Sequence, residues 1–246
     1  MSPVMTLAIA RRVLAQLRHD PRTLALLFII PPILLTLLKY VFQGEAREFN
    51  NIAPMMLGIF PMIMMFLITS IATLRERTSG TLDRLMTMPM SKLDFILGYA
   101  LAFSLVAALQ AVVTAAVMLG LLNVTVLGGT LPTLVGAVLA AFLGTSLGLF
   151  ASAFARTEFQ AVQFMPVFIF PQFLTCGLFV ARDAMARPLQ WFADVMPLTY
   201  SVDAMKQVTM HANWTSVHTR DLVIVIAYAL AALILGSITI RRQEKG

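Results

Sequence analysis

The chain has 246 residues, 59% of them hydrophobic and only 12% charged, whereas an ordinary soluble domain carries roughly 25% charged residues. Its net charge is +6, but the basic residues cluster at the ends of apolar runs, which argues against a nucleic-acid surface and for the Lys/Arg bias of cytoplasmic loops. One cysteine, Cys176, excludes an internal disulfide, and no Cys/His metal spacing occurs.

Several runs exceed the ~18 apolar residues that suggest a spanning helix. The sequence therefore predicts an all-α polytopic membrane protein with six transmembrane helices. Residues 4–20 place Val4, Leu7, Ala8, Val13, Leu14 and Leu17 among Arg11, Arg12 and Arg18. That pattern predicts an amphipathic helix in the membrane interface. Span 1 is expected at 23–41, kinked or split by Pro31-Pro32, with Lys39 snorkelling from its outer end. No convincing cleavage site follows the N-terminal arginines, so this run reads as a retained span. A polar link over 43–51 leads to span 2 at 54–73. Span 2 carries Met55, Met56, Met62, Met64 and Met65. Methionine suits surfaces that accept varied partners, and it suits lipid-facing filler equally.

The run 95–155 holds no Asp, Glu, Lys or Arg and is too long for one span. Asn123, Gly128-Gly129 and Pro132 mark a turn, giving span 3 at 95–122 and span 4 at 132–153. Ala140, Gly144, Gly148 and Ser152 recur every four residues, a spacing that lets two helices approach closely. Gln110 and Thr114 lie one turn apart and are expected to make an interhelical hydrogen bond. Span 5, at 159–180, contains Pro166 and Pro171, five phenylalanines from Phe164 to Phe179, and the amides Gln163 and Gln172. Aromatic rings with a few amides suit an amphipathic ligand, and they suit helix packing equally. Residues 188–208 are semi-apolar, carry Trp191 and Tyr200, and are divided by Pro197. They predict two short helices dipping into the membrane. Span 6 is expected at 222–240.

Six spans put both termini on one side. That side, with the loops after spans 2 and 4, holds twelve of the eighteen Lys and Arg residues. The positive-inside rule then makes both termini cytoplasmic and 188–208 extracytoplasmic.

The stretch between spans 2 and 3 is the densest in charge. Thr78-Ser79-Gly80-Thr81 can cap a helix with Asp83 in its first turn; Leu82, Leu85, Met86 and Met88 give it one apolar face; Pro89 stops it. Ser91 and Asp94 then approach a capping box for span 3. A short capped helix at 78–88, preceded by Arg75, Glu76 and Arg77, suggests either docking of a cytoplasmic partner or anchoring at the membrane surface.

LRERTSGTLDRLMTMPMSKLDFILG, residues 74–98, resembles the region after the second span in the ABC type-2 permease family. MPLTYSVDAMKQV, residues 196–208, is similar to a second family segment, with Met196 where the family often has Asn. Within the family the chain looks closest to drug-export permeases of the daunorubicin-resistance type. The resemblance implies a permease subunit of an ATP-binding cassette exporter, with 78–88 as the coupling helix on a separate ATPase subunit, present in two copies. ATP and Mg would bind there and no cofactor on this chain, which lacks the G-x-x-x-x-G-K-[ST] phosphate loop and is not itself an enzyme. Arg75, Glu76, Arg77, Thr81, Asp83 and Arg84 are the implied coupling residues. A second permease subunit, alike or different, would complete a path between spans 1, 2 and 5. Met64, Met65, Gln163, Phe168, Gln172 and Phe173 are the candidate path residues, and Pro197, Leu198 and Tyr200 the candidate outer gate. The implied location is the bacterial inner membrane, and the implied cargo a hydrophobic or amphipathic drug-like or lipid-like molecule. A polysaccharide or glycolipid cargo is the alternative.

An ion-coupled secondary transporter is the rival class, but it places ionisable residues at mid-membrane and the span interiors here have none. An intramembrane enzyme would need a nucleophile–base pair or metal ligands in the spans. His19, His211 and His218 all lie outside them.

Overall fold

A computed structural model of the chain describes residues 2–79 and 92–239. Helices account for nearly all of them, and no strand occurs among the described residues. The order is α1 (Pro3–Arg18), α2 (Pro21–Val41), α3 (Ala46–Thr78), α4 (Lys92–Ala116), α5 (Thr130–Ser152), α6 (Glu158–Thr175), α7 (Arg187–Val195), α8 (Pro197–Met210) and α9 (Ser216–Thr239). A π-helical turn, Val117–Leu121, extends α4, and a single 3-10 turn, Arg182–Ala184, precedes α7.

Five of these are long and apolar enough to cross a membrane: Pro21–Val41, Ala46–Thr78, Leu93–Leu121, Thr130–Ser152 and Ser216–Thr239. The predicted span 5 is shorter than expected. α6 stops at Thr175 because Cys176 caps it and Gly177 takes φ +88°, the left-handed conformation that ends helices. Two prolines and three glutamines in its 18 residues leave it without a stretch as apolar as those of the five spans. Span 2 is longer than expected. Glu45 stands at its N-cap and Glu48 in its first turn, where acidic groups favour a helix start, so the predicted polar link is mostly helical. Pro31 and Pro32 do not split α2.

The core is the seam between α3 and α5. The predicted small-residue stripe builds it. A Cβ added at Gly148 would stand 2.5 Å from the Phe66 carbonyl oxygen, and one at Gly144 would meet the Met62 carbonyl. The two backbones touch, as small residues permit. Met55, Met56, Met62 and Met65 are buried in this packing rather than facing lipid.

α1 is not simply a surface helix. Its apolar set divides: Ile9, Ala10, Val13 and Leu17 are buried, while Val4 and Leu7 stay exposed. Ile9 fills the space over Gly98 of α4, and the Ser2 N–H donates to the buried Asp94 carboxylate at 2.9 Å. The carboxylate expected to cap α4 thus holds α1. Gly236 of α9 lies against Phe150 of α5 and Ile96 of α4, so the last described turn of α9 and the start of α1 gather at one end of the bundle. At the other end Lys39 donates to the Leu122 carbonyl at 3.0 Å, and the Gly128 N–H donates to the Val208 carbonyl at 2.9 Å.

The hydrogen bond expected between Gln110 and Thr114 across helices is absent. Thr114 Oγ1 donates to the Gln110 main-chain carbonyl, and neither end of the fully buried Gln110 amide has a partner among the described residues. An unpaired buried amide costs ~1–3 kcal/mol. Gln110→Leu is therefore expected to raise thermal stability in detergent, and a fall in the unfolding midpoint would show a partner for the amide.

Candidate functional site

α3 ends in Arg75-Glu76-Arg77. Successive helical residues point about 100° apart, so three neighbouring side chains reach three different helices. Arg75 grips Glu158 at the start of α6, with Nε to Oε1 at 2.6 Å and Nη2 to Oε2 at 3.0 Å. Arg77 Nη1 donates to the carbonyl of Ser152, the last residue of α5, where helix carbonyls lack internal partners. Glu76 accepts from Arg12 Nη2 at 3.0 and 2.8 Å and from Gln16 Nε2 at 2.9 Å, both on α1. The Tyr99 ring of α4 stands beside it. The exposed Arg75–Glu158 pair contributes at most ~1 kcal/mol. The Arg12–Glu76 pair counts for more, since only 12% of the Glu76 side chain is accessible.

Thr78 is the last residue of α3 and Ser79 its C-cap. The Thr78 hydroxyl donates to the Leu74 carbonyl and the Ser79 N–H to Arg75. Thr81, Asp83 and Arg84, with the rest of the predicted coupling helix, lie outside the described residues. Sequence reasoning missed Arg12 and Gln16. Their signal was the i, i+4 spacing beside Ile9 and Val13, which places both at the edge of the buried face of α1.

The candidate path residues do not converge within one chain. Phe168 and Gln172 line a cavity of about 460 Å³ between α3, α5 and α6, walled by Phe66, Phe150, Phe154 and Phe164. Met64 lines a second cavity on the other side of α3. Met65 is fully buried in the core, Gln163 is exposed, and Phe173 packs edge-on against Phe179 at 5.2 Å.

The candidate gate residues sit where α7 meets α8. Pro197 and Leu198 are buried, and the Leu198 N–H donates to Gln172 Oε1 at 3.3 Å, joining α8 to α6. Tyr200 donates its hydroxyl to the Asp194 carbonyl at 2.6 Å and stacks on Tyr228. Ser201 donates to the Gly58 carbonyl at 3.3 Å and Met205 covers Gly58 and Gly136, so α8 reaches below the bundle's end. Arg182 bridges Asp194 and Asp203 at 3.1 and 3.0 Å. Burial pushes the Asp203 carboxyl up, and Arg182 pulls it partly back.

Apolar helices packed through a glycine seam, with charged side chains linking helices at one end, define a multi-pass membrane protein whose end contacts join several helices. A family model described as ABC-2 type transporter matches residues 5–210, and the chain belongs to that family, which supplies the membrane component of ABC transporters. It is 23% identical over 205 residues to ABC transporter G family member 20 of Dictyostelium discoideum, covering 82% of this chain and 28% of that protein. It is 26% identical over 172 residues to the probable multidrug ABC transporter permease YbhR of Escherichia coli (strain K12), covering 66% of this chain and 47% of that one. The inner membrane transport permease YhhJ of the same strain is 25% identical over 168 residues, covering 68% of this chain and 42% of that one. The chain thus spans less than half the length of each of these relatives.

Proposed function

We propose that the chain is the permease subunit of an ATP-binding cassette exporter in a bacterial inner membrane, moving a hydrophobic or amphipathic molecule outward. Energy comes from two copies of a separate ATPase subunit that bind ATP and Mg, and a second permease subunit completes the path. The observation that carries this reading is the end of α3, where Arg75, Glu76 and Arg77 join α6, α1 and α5 just before the segment that couples in the family. A push on that segment moves α3 at one end and α4 at the other. The three side chains pass the displacement to the rest of the bundle. The phenylalanine-walled cavity beside Phe168 and Gln172 favours an apolar or aromatic cargo over a polysaccharide, whose many hydroxyls would find few partners there. The interface between α7 and α8, with Pro197, Leu198 and Tyr200, serves as the outer gate, and α6 with its short outer extension serves as a sixth crossing.

The test uses the permease purified with its ATPase partner. Glu76→Ala and Arg84→Glu are expected to insert normally and to lose most substrate-stimulated ATPase activity and vesicle transport. Unchanged activity in both variants would remove the coupling role. Transport driven by an ion gradient without ATP would place the protein in the secondary-transporter class instead.

A further inference from the structure

A second cavity of about 460 Å³ lies away from the phenylalanine-walled one, between the α1–α2 corner, α2 and α3. Its volume is in the range of small-ligand sites, ~300–1,000 Å³. α3 lines it from Met64 to Glu76 and α2 from Thr23 to Ile30. At 1.5 Å per residue the α3 wall is ~18 Å long, so the cavity is an elongated groove. The groove is polarised along its length. Ile30, Met64 and Phe103 line the end toward mid-bundle, while Gln16, Asp20, Arg75 and Glu76 line the other. That is the gradient of a phospholipid in the leaflet at this end. α2 buries only Leu27, Pro31 and Leu35, and leaves most of its surface uncovered.

The polar end specifies charge. Glu76 already holds Arg12 and Gln16, and Arg75 already holds Glu158. Asp20 caps α2, accepting from the Thr23 N–H at 3.2 Å and the Thr23 hydroxyl at 2.6 Å, and it forms no ion pair among the described residues. Those two bonds hold its carboxyl below the usual range, so it is ionised at neutral pH. The cavity wall therefore offers one carboxylate without a salt bridge. Arg75, which lines the same end, also acts on Asp20 through its charge.

We propose that this groove binds one acyl chain of a membrane phospholipid with a primary-amine headgroup, such as phosphatidylethanolamine, with the ammonium at Asp20. Met64 of the candidate path lines this groove, so the test reads lipid binding and not transport. The delipidated full chain in detergent would be titrated with phosphatidylethanolamine or phosphatidylglycerol of matched chains and followed by native mass spectrometry. Wild type is expected to bind phosphatidylethanolamine about tenfold more tightly, the scale of one charge-assisted hydrogen bond. Asp20→Asn keeps the helix cap, since Asn caps as well as Asp. It is expected to retain lipid but to lose the headgroup preference. Ala72→Trp, on the groove's wall, is expected to weaken binding of both lipids about tenfold by filling the groove. If that variant does not fold, Ile30→Trp fills the groove from the opposite wall and reads the same quantity. Equal binding of the two lipids by wild type, or a preference that survives Asp20→Asn, would overturn the headgroup assignment. Undiminished binding in the tryptophan variants would overturn the site.

Discussion

Gly144→Val is expected to destabilise the bundle by ~3 kcal/mol or more, at the upper end of overpacking costs. The reason is specific. The atom that a side chain at 144 would strike is the main-chain carbonyl oxygen of Met62, which cannot rotate away as a side chain can. Relief requires α3 and α5 to part along the seam that holds the core. Gly120→Ala is the matched control, because nothing lies within 4 Å of a Cβ there. Its effect should stay within ~0.5 kcal/mol. Thermal unfolding in detergent, followed by intrinsic fluorescence, reads both variants. A Gly144→Val protein within ~1 kcal/mol of wild type would mean that the seam relaxes and that the close approach is not a structural requirement.

The second large effect is at the α1–α3 contact. Glu76→Arg sets two guanidinium groups against each other and should cost ~2 kcal/mol, less than the ~3–5 of a fully buried broken pair because Arg12 is 31% accessible. Arg12→Glu should cost a similar amount. The double exchange restores opposite charges across the same gap and is expected to recover at least half of the loss, read as a positive coupling in a double-mutant cycle. Additive losses would show that Glu76 is held by Gln16 and Tyr99 rather than by the ion pair. The cycle also separates stability from coupling. A double exchange that unfolds normally but fails to stimulate the proposed ATPase partner would assign the contact to transmission.

The helices were legible because lipid imposes one rule on all of them: about twenty apolar residues with no charge between the ends. Five spans follow that rule, and the Gly144–Gly148 stripe announced its own packing partner type. The end of α6 was missed because one conformational choice at Gly177 outweighed the apolar character of Leu178, Phe179 and Val180. The start of α3 was missed because Glu45 and Glu48 read as a polar link, yet acidic residues in that position favour a helix N-terminus. The contacts of the site were mostly illegible. Arg75, Glu76 and Arg77 announce a charged cluster, but nothing local says that Glu76 meets Arg12, 64 positions away. Gln110 was misjudged for the converse reason. A buried amide is expected to find a partner, and this one finds none among the described residues.

The length of α3 has a mechanical consequence. Its 33 residues span ~50 Å, well beyond the ~30 Å of a hydrocarbon core. Its tightest grip on α5 is at Met62 and Phe66, leaving ~24 Å of helix between Met62 and Thr78. Held there, α3 is a lever with its fulcrum inside the bilayer and two arms of similar length, 46–62 and 62–78. A tilt of ~10° about that fulcrum sweeps the tip through ~4 Å, while groups beside Gly144 and Gly148 hardly move. Pro54 and Pro61 lie on the 46–62 arm, each removing one internal hydrogen bond, so that arm bends more readily than the other. The 62–78 arm is the stiff half, and the 46–62 arm is the compliant half beside α8.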